Sequence, residues 1–314
     1  MFDYVELPSG PCKHLVYAVL GPRLMAFDGM KRQLPIDMNM FDSWFRTLVE
    51  APAELVKRLN HQRSHRLGFY HETLWHFFLD NFPQFEVITH NLPVRNEERT
   101  LGEFDFIVRD RHDGQVFHLE VATKYYLEHT FSGDTFWIGP SLQDRFDIKA
   151  NHLINHQINL SDTPEGSNSL ASLGVLSPKK VIAVGGTLFY RSSVLAQGEF
   201  IAPEHRSAKH ITLHEFEQRE DNTQWLLVSR KHWLAPLYQK SKEVDPLSKD
   251  EIINHLGHEF SNESQPVMVA KMEPCKRRNY FLKEKERLFI TPNDWAQKAD
   301  TSLIDAGIAN TSSN

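Results

Sequence analysis

Apolar and polar positions along this chain follow two rhythms, one helical and one of period two, and the chain switches between them several times. WFRTLVEAPAELVKRL, within residues 42–61, repeats its apolar residues at helical spacing, with Pro52 placed to break or kink the run. A second helical pattern over about 64–82, RLGFYHETLWHFFLDNF, is apolar nearly all round, which predicts a buried helix. The rhythm then changes to alternation. FEVITHNLPV reads as a strand ending near Pro93, and GEFDFIVRD and QVFHLEVATKYYL as two more, joined by a hairpin turn at Asp113-Gly114. LQDRFDIKANHLINHQINL returns to helical spacing, with Leu142, Phe146, Leu153, Ile154 and Ile158 apolar. SDTPEGSNS predicts a loop, and KKVIAVGGTLFY a buried strand in which Gly185-Gly186 marks a bulge or close packing contact.

This order predicts an α/β fold, a mixed sheet flanked by helices over residues 64–195. Residues 1–63 read as a helical and irregular extension, with Pro8, Pro11, Pro22 and Pro35 breaking its first part. Beyond residue 196 the segments KHITLHEFEQ, QWLLVSRKHW, PVMVAKME and NYFLKEKERLFI read as strands, and Thr291-Pro292-Asn293-Asp294 as a helix start. They form a smaller α+β C-terminal region over 196–305, followed by a disordered tail over 306–314.

Composition changes this picture little. A length of 314 residues, 40% hydrophobic and 24% charged, suits an ordinary globular protein. The formal charge of −6 removes any global basic field, so a polyanion would need a local patch. Cys12 and Cys275 are the only cysteines, which excludes a disulfide framework or a cysteine zinc site. No basic and apolar leader opens the chain, and no stretch is long and apolar enough to cross a bilayer. A cytoplasmic protein without a membrane partner is expected, and the oligomeric state is left open.

The chemistry concentrates on two strands and a helix. Along HLEVATKYYL, Glu120, Ala122 and Lys124 share one face, and Leu119, Val121 and Thr123 the other. On the preceding strand Phe104, Phe106 and Val108 share a face opposite Glu103 and Asp105. The hairpin would then set Asp105 beside Glu120, a repulsive pair that a hard divalent cation would relieve. Glu72 on the buried helix needs a partner. Lys124 is expected to contact Glu120 or Asp105. The alternative is plain: exposed ion pairs and edge charges of little consequence. On the following helix Arg145, Lys149, His152 and His156 form one stripe, able to follow a phosphate backbone or simply to be solvated.

A helix glutamate, then Gly102-Glu103-Phe104-Asp105, a hairpin, then a strand with Glu120 and a lysine resembles the PD-(D/E)XK nuclease superfamily, in its resolvase-like form. The wording Glu-x-Ala-x-Lys-Tyr-Tyr-Leu is similar to a bacterial family of that kind, the domain-of-unknown-function 1853 family. The resemblance implies a restriction-endonuclease-like core, a Mg²⁺ or Mn²⁺ cofactor and a nucleic-acid substrate, DNA or RNA undetermined. It implies metal ligands at Asp105, Glu120 and the Val121 carbonyl, with Glu72 on a second metal or its water. It further implies a catalytic Lys124, and accessory residues at Gln143 and Asp144. One departure stands out. The superfamily lysine lies two residues after the glutamate, where this chain has Ala122; Lys124 is two further along. Two functions are therefore expected to compete: a metal-dependent phosphodiesterase, and a non-cleaving nucleic-acid or protein-binding module on the same fold.

Overall fold

A computed structural model describes the chain except residues 1–3, 28, 30–32, 63, 65, 193–197, 199, 221–222, 262–264 and 309–314. Four helices open it: α1 (Pro11–Leu20), α2 (Met38–Glu50), α3 (Ala53–Asn60) and α4 (Leu67–Asn81). Helix α1 was not expected among the early prolines; Pro11 sits at its start, where a missing N–H costs nothing. Pro52 separates α2 from α3 as expected. Strands β1 (Phe85–Arg95), β2 (Thr100–Asp110), β3 (Val116–Phe131) and β4 (Asp134–Ile138) follow, then α5 (Phe146–His152), α6 (Pro164–Ala171) and β5 (Lys179–Tyr190). The remainder is β6 (Arg206–Thr212), α7 (Leu213–Glu217), β7 (Gln224–Leu227), β8 (Tyr238–Lys240), α8 (Lys249–Phe260), β9 (Val267–Cys275), β10 (Arg278–Thr291) and α9 (Trp295–Asp305).

The strands form one mixed ten-stranded sheet in the order β1-β2-β3-β5-β6-β10-β9-β7, with β4 beside β3 and β8 beside β10. Antiparallel hairpins build one side, and the parallel neighbours β3, β5, β6 and β10 build the middle. Helices α1–α4 cover one face, burying Leu15, Phe45, Leu74 and Trp75 against Phe106, Leu119 and Val181. Phe146 and Leu153 cover the other, against Ile182 and Val184. Both layers are apolar and closely packed, which supplies most of the stabilisation.

Four expectations need correction. QWLLVSRKHW is a strand only over Gln224–Leu227, and Arg230–Trp233 is a 3₁₀ turn. SDTPEGSNS is not a loop: it holds a 3₁₀ turn at Leu160–Asp162 and α6, entered through the Thr163 side chain, which accepts from the Gly166 N–H, with Pro164 behind it. A capping threonine followed by proline is a helix start hidden among turn-forming residues. The long helix after β4 is not continuous. It begins at Phe146 and changes to a π-turn over Leu153–Gln157, where the Ile158 N–H reaches back to the Leu153 carbonyl at 3.0 Å. KHITLHEFEQ is a strand only to Thr212, whose hydroxyl forms a capping box with Glu215 and starts α7. Of the expected disordered tail, residues 309–314 lie outside the described residues, while Ile308 packs on the core.

Candidate functional site

The β2–β3 ladder is short. It pairs Arg109 with Val116 and runs only as far as Phe106 with Leu119. Past that point β2 stays with β1 to Thr100, while β3 stays with β5 from Phe117 to Leu127, so the two strands part. Asp105 and Glu120 are the first residues beyond the last rung. The Asp105 carboxylate bridges the opening gap by accepting the Val121 N–H at Oδ2, 2.9 Å away. A side chain here replaces a missing backbone partner.

Alternation along β3 holds as expected. Leu119 and Val121 face α4, while Ala122 packs against the α5 side. Along β2 it does not hold throughout. Phe106 and Val108 join the α4 core, but Phe104 joins Ile107, Val94 and Leu160 on the other side. Across the ladder, between Leu92, paired with Phe104, and His90, paired with Phe106, Asn91 adopts a left-handed φ of 50 while the register stays unshifted. The Asn91 amide donates to Glu72 Oε1 at 2.8 Å, fixing the half-buried helix glutamate at the rim.

The acidic pair is strongly perturbed. Burial, then the charge of Glu120, hold Asp105 well above the usual carboxylate range; the Val121 N–H opposes this and Glu72 adds to it. Burial pushes Glu120 up to about 8, with Asp105, Lys149 and Gln157 all partly opposing. Glu120 is 1% exposed. Its Oε1 meets His118 Nε2 at 2.8 Å, and His118 Nδ1 lies 3.3 Å from the Ser161 hydroxyl. Burial presses His118 down to about 4, so a neutral ring donates to Glu120. Glu120 Oε2 is buried without a hydrogen-bond partner of good geometry, while Asp105 and Gln157 act on the carboxyl from close by. A buried carboxylate oxygen facing a second carboxyl needs a shared proton or a cation. His118 and Ser161 were not expected here. The alternation HxE on β3 was the available signal, since His118 shares the face of Glu120.

Lys124 does not meet the acidic pair. Its ammonium pairs with Asp144 Oδ2 at 2.5 Å, and the Tyr126 hydroxyl lies 3.4 Å from the same oxygen. Four residues of strand carry Lys124 roughly 13 Å along β3 from Glu120, into reach of the loop before α5. Asp144 therefore serves as the partner of Lys124, and Gln143 is exposed. At the same level on the neighbouring strand, Gly186 (φ 135) lies so close to β3 that a Cβ would sit 1.7 Å from the Lys124 carbonyl oxygen. This is the close contact expected at Gly185-Gly186.

The basic stripe divides. Arg145 pairs with Asp147 and lies over the Phe136 ring. His152 and His156 are exposed, with ring centroids 5.5 Å apart. Lys149 is half-buried and is the cation that acts on Glu120. The π-turn adds one residue to the helical path and brings Gln157 to the same carboxyl.

Among the described residues no group of three or more His, Cys, Asp or Glu side chains is arranged to hold a metal ion. The donor set present is two carboxylates, with Glu72 already engaged by Asn91. That number suits a magnesium site completed by waters and substrate phosphates rather than an all-protein cage, and the unpartnered Glu120 Oε2 leaves one ligand position open. No described helix is long and apolar enough to cross a membrane.

A family model described as Domain of unknown function (DUF1853) matches residues 13–291, and the chain belongs to that family. No similar curated protein and no similar solved structure is found.

Proposed function

We propose that this member of the DUF1853 family is a metal-dependent phosphodiesterase of the PD-(D/E)XK kind, acting on nucleic acid. The observation that carries the reading is the buried pair Asp105 and Glu120 at the point where β2 and β3 part, with Glu120 Oε2 lacking a hydrogen-bond partner of good geometry. Asp105 and Glu120, with the Val121 carbonyl, would hold Mg²⁺ or Mn²⁺, which supplies Lewis acidity toward the phosphodiester and a more acidic water. His118 fixes the orientation of Glu120 through Oε1, leaving Oε2 toward the gap. Glu72, held by Asn91, is placed to accept a proton from a water at the rim. Lys149 takes the part that the superfamily gives to the strand lysine, because Lys124 is committed to Asp144. His152 and His156, exposed on the next turns, are placed to meet a phosphate backbone.

The pairing of Lys124 with Asp144 also favours a second reading, a nucleic-acid or protein-binding module that does not cleave. One experiment separates the two. The full-length chain is incubated with single-stranded, duplex, flapped and junction substrates in DNA and RNA, with Mg²⁺, Mn²⁺ or EDTA. The expected result is cleavage by wild type that EDTA abolishes and that Asp105→Ala reduces at least about a hundredfold, the scale of losing a preorganised charge-stabilising group. Lys149→Ala should lose more activity than Lys124→Ala. If no substrate is cut and Mn²⁺ titration finds no site that Asp105→Ala removes, the enzyme reading is wrong; retained, metal-independent nucleic-acid binding would then support the module.

A further inference from the structure

On the opposite face of the sheet from Glu120 lies a second polar cavity, of about 480 Å³. Thr187 on β5 pairs in register with Tyr125 on β3 and with Arg206 on β6, and Tyr125 faces away from Glu120 by strand alternation. The cavity is lined by Thr187, by Arg206, Ser207, Ala208 and Lys209 of β6, by Pro236, and by Glu284, Lys285, Glu286 and Arg287 of β10. Its charged lining is four cations and two anions.

The partners of these groups decide what is free. Arg287 is fully committed: it donates to both oxygens of Glu284 and to the carbonyls of His232, Trp233 and Ala235. Both glutamates are engaged, since Glu286 meets Arg219 at 2.8 Å. Lys285 pairs with Glu273 at 3.2 Å. Arg206 donates from Nη1 to the Leu234 carbonyl at 2.7 Å and lies over the Tyr17 ring. Thr187 is 2% exposed, and its hydroxyl is buried with no hydrogen-bond partner. A buried hydroxyl left unpaired is unfavourable, and a ligand oxygen would supply its partner. Burial, and then the charge of Arg287, press Arg206 below the usual guanidinium range, a load that an anion relieves.

We infer that this cavity is a binding site for a phosphomonoester, with Thr187 Oγ1 and the Nε and Nη2 of Arg206 meeting the terminal phosphate oxygens, while Lys209, three residues along β6 and so on the other face, adds only its charge at the rim. A hydroxyl beside a two-pronged guanidinium suits the three oxygens of a terminal phosphate better than the two of a carboxylate, and a lining with more cations than anions suits a dianion. A cavity of about 480 Å³ is larger than phosphate alone and leaves room for an attached organic group. The inference stands apart from the acidic pair on the other face.

The test is calorimetric titration of the full-length chain at constant ionic strength, with inorganic phosphate, adenosine monophosphate and acetate, each in EDTA. Phosphate and the monophosphate are expected to bind, and acetate at least tenfold more weakly. Thr187→Val removes only the hydroxyl at nearly constant volume and should weaken phosphate at least tenfold. Arg206→Gln should do the same, while Glu120→Gln should leave phosphate binding unchanged. If Arg206→Gln fails to fold, Thr187→Val alone decides. Wild type that binds phosphate no better than acetate would overturn the proposal, as would Thr187→Val that binds as wild type does. Loss of binding in Glu120→Gln with retention in Thr187→Val would place the phosphate at the acidic pair instead.

Discussion

At the scale of single residues, Glu120 is held in a state the unfolded chain would not choose. Burial raises its folded value to about 8 against 4.5, so near neutral pH the native protein keeps a proton that the unfolded chain releases. The cost is present above 4.5 and disappears below it, where both states are protonated. Glu120→Gln should therefore stabilise the metal-free protein in EDTA by on the order of 2 kcal/mol at pH 7, with the gain shrinking toward pH 4.5. Urea denaturation at several pH values measures it. A variant less stable than wild type at pH 7 would mean that Glu120 is anionic there and well satisfied, against the environment described. A group that destabilises the fold while remaining oriented by His118 is the expected mark of a functional rather than structural carboxylate.

At the scale of elements, the site depends on how β3 is held from both sides. The β2 ladder releases it at Leu119, and β5 keeps it straight through the site. Gly186 is the closest point of that support. Its φ of 135 and the 1.7 Å approach of a built Cβ to the Lys124 carbonyl leave no room for a side chain, whereas at Gly185 nothing lies within 4 Å. Gly186→Ala should destabilise the protein by roughly 3 kcal/mol or more and reduce any metal-dependent activity. Gly185→Ala should change stability by less than about 1 kcal/mol. Equal effects of the two in thermal denaturation would sink this account of the Gly-Gly pair. The same strands explain what was legible in the sequence. The alternation on β3, the hairpin turn at Asp113-Gly114 and the break at Pro52 are local signals, and each follows from short-range geometry. The position of Lys124 was not legible, because Asp144 arrives from a loop twenty residues on. Nor was the pleat break at Asp105, which lies across the ladder from the left-handed Asn91. The π-turn that brings Gln157 to Glu120 has no periodic signature, and α6 hid behind its turn-like composition. Tertiary contacts decided each of these.

At the scale of the whole molecule, buried neutral histidines set the response to acid. His71 and His210 are pushed down to about 3 and His118 to about 4, in each case chiefly by burial, and His14 is held well below its ordinary value for the same reason. Around His71, the next contribution is the buried Arg23 guanidinium, and its Nε2 has no partner. Unfolded histidines take up protons near 6.5, while His71, His210 and His118 do not until about pH 4 or lower and His14 is displaced in the same direction, so below 6.5 the unfolded state binds more protons. Asp105 and Glu120 act in the opposite sense, because the native state already holds their protons. His76, also held at about 4, and His232, also lowered by burial, add to the histidine side, so the histidines outnumber the two carboxyls, and each net proton is worth about 1.4 kcal/mol per pH unit. Stability should therefore fall by several kcal/mol between pH 6.5 and 5, and should also fall as pH rises from 7 toward 8, because the native state there still holds the Glu120 proton that the unfolded chain has released. His71→Leu should flatten that fall by one proton, whereas Glu120→Gln should steepen it by removing an opposing group. Denaturation midpoints for the three proteins at pH 7, 6 and 5 test this ordering. A wild-type midpoint unchanged from pH 7 to 5, or a steeper fall in His71→Leu than in wild type, would show that the buried rings take up protons in the native state, and with them that His118 cannot be the neutral donor to Glu120.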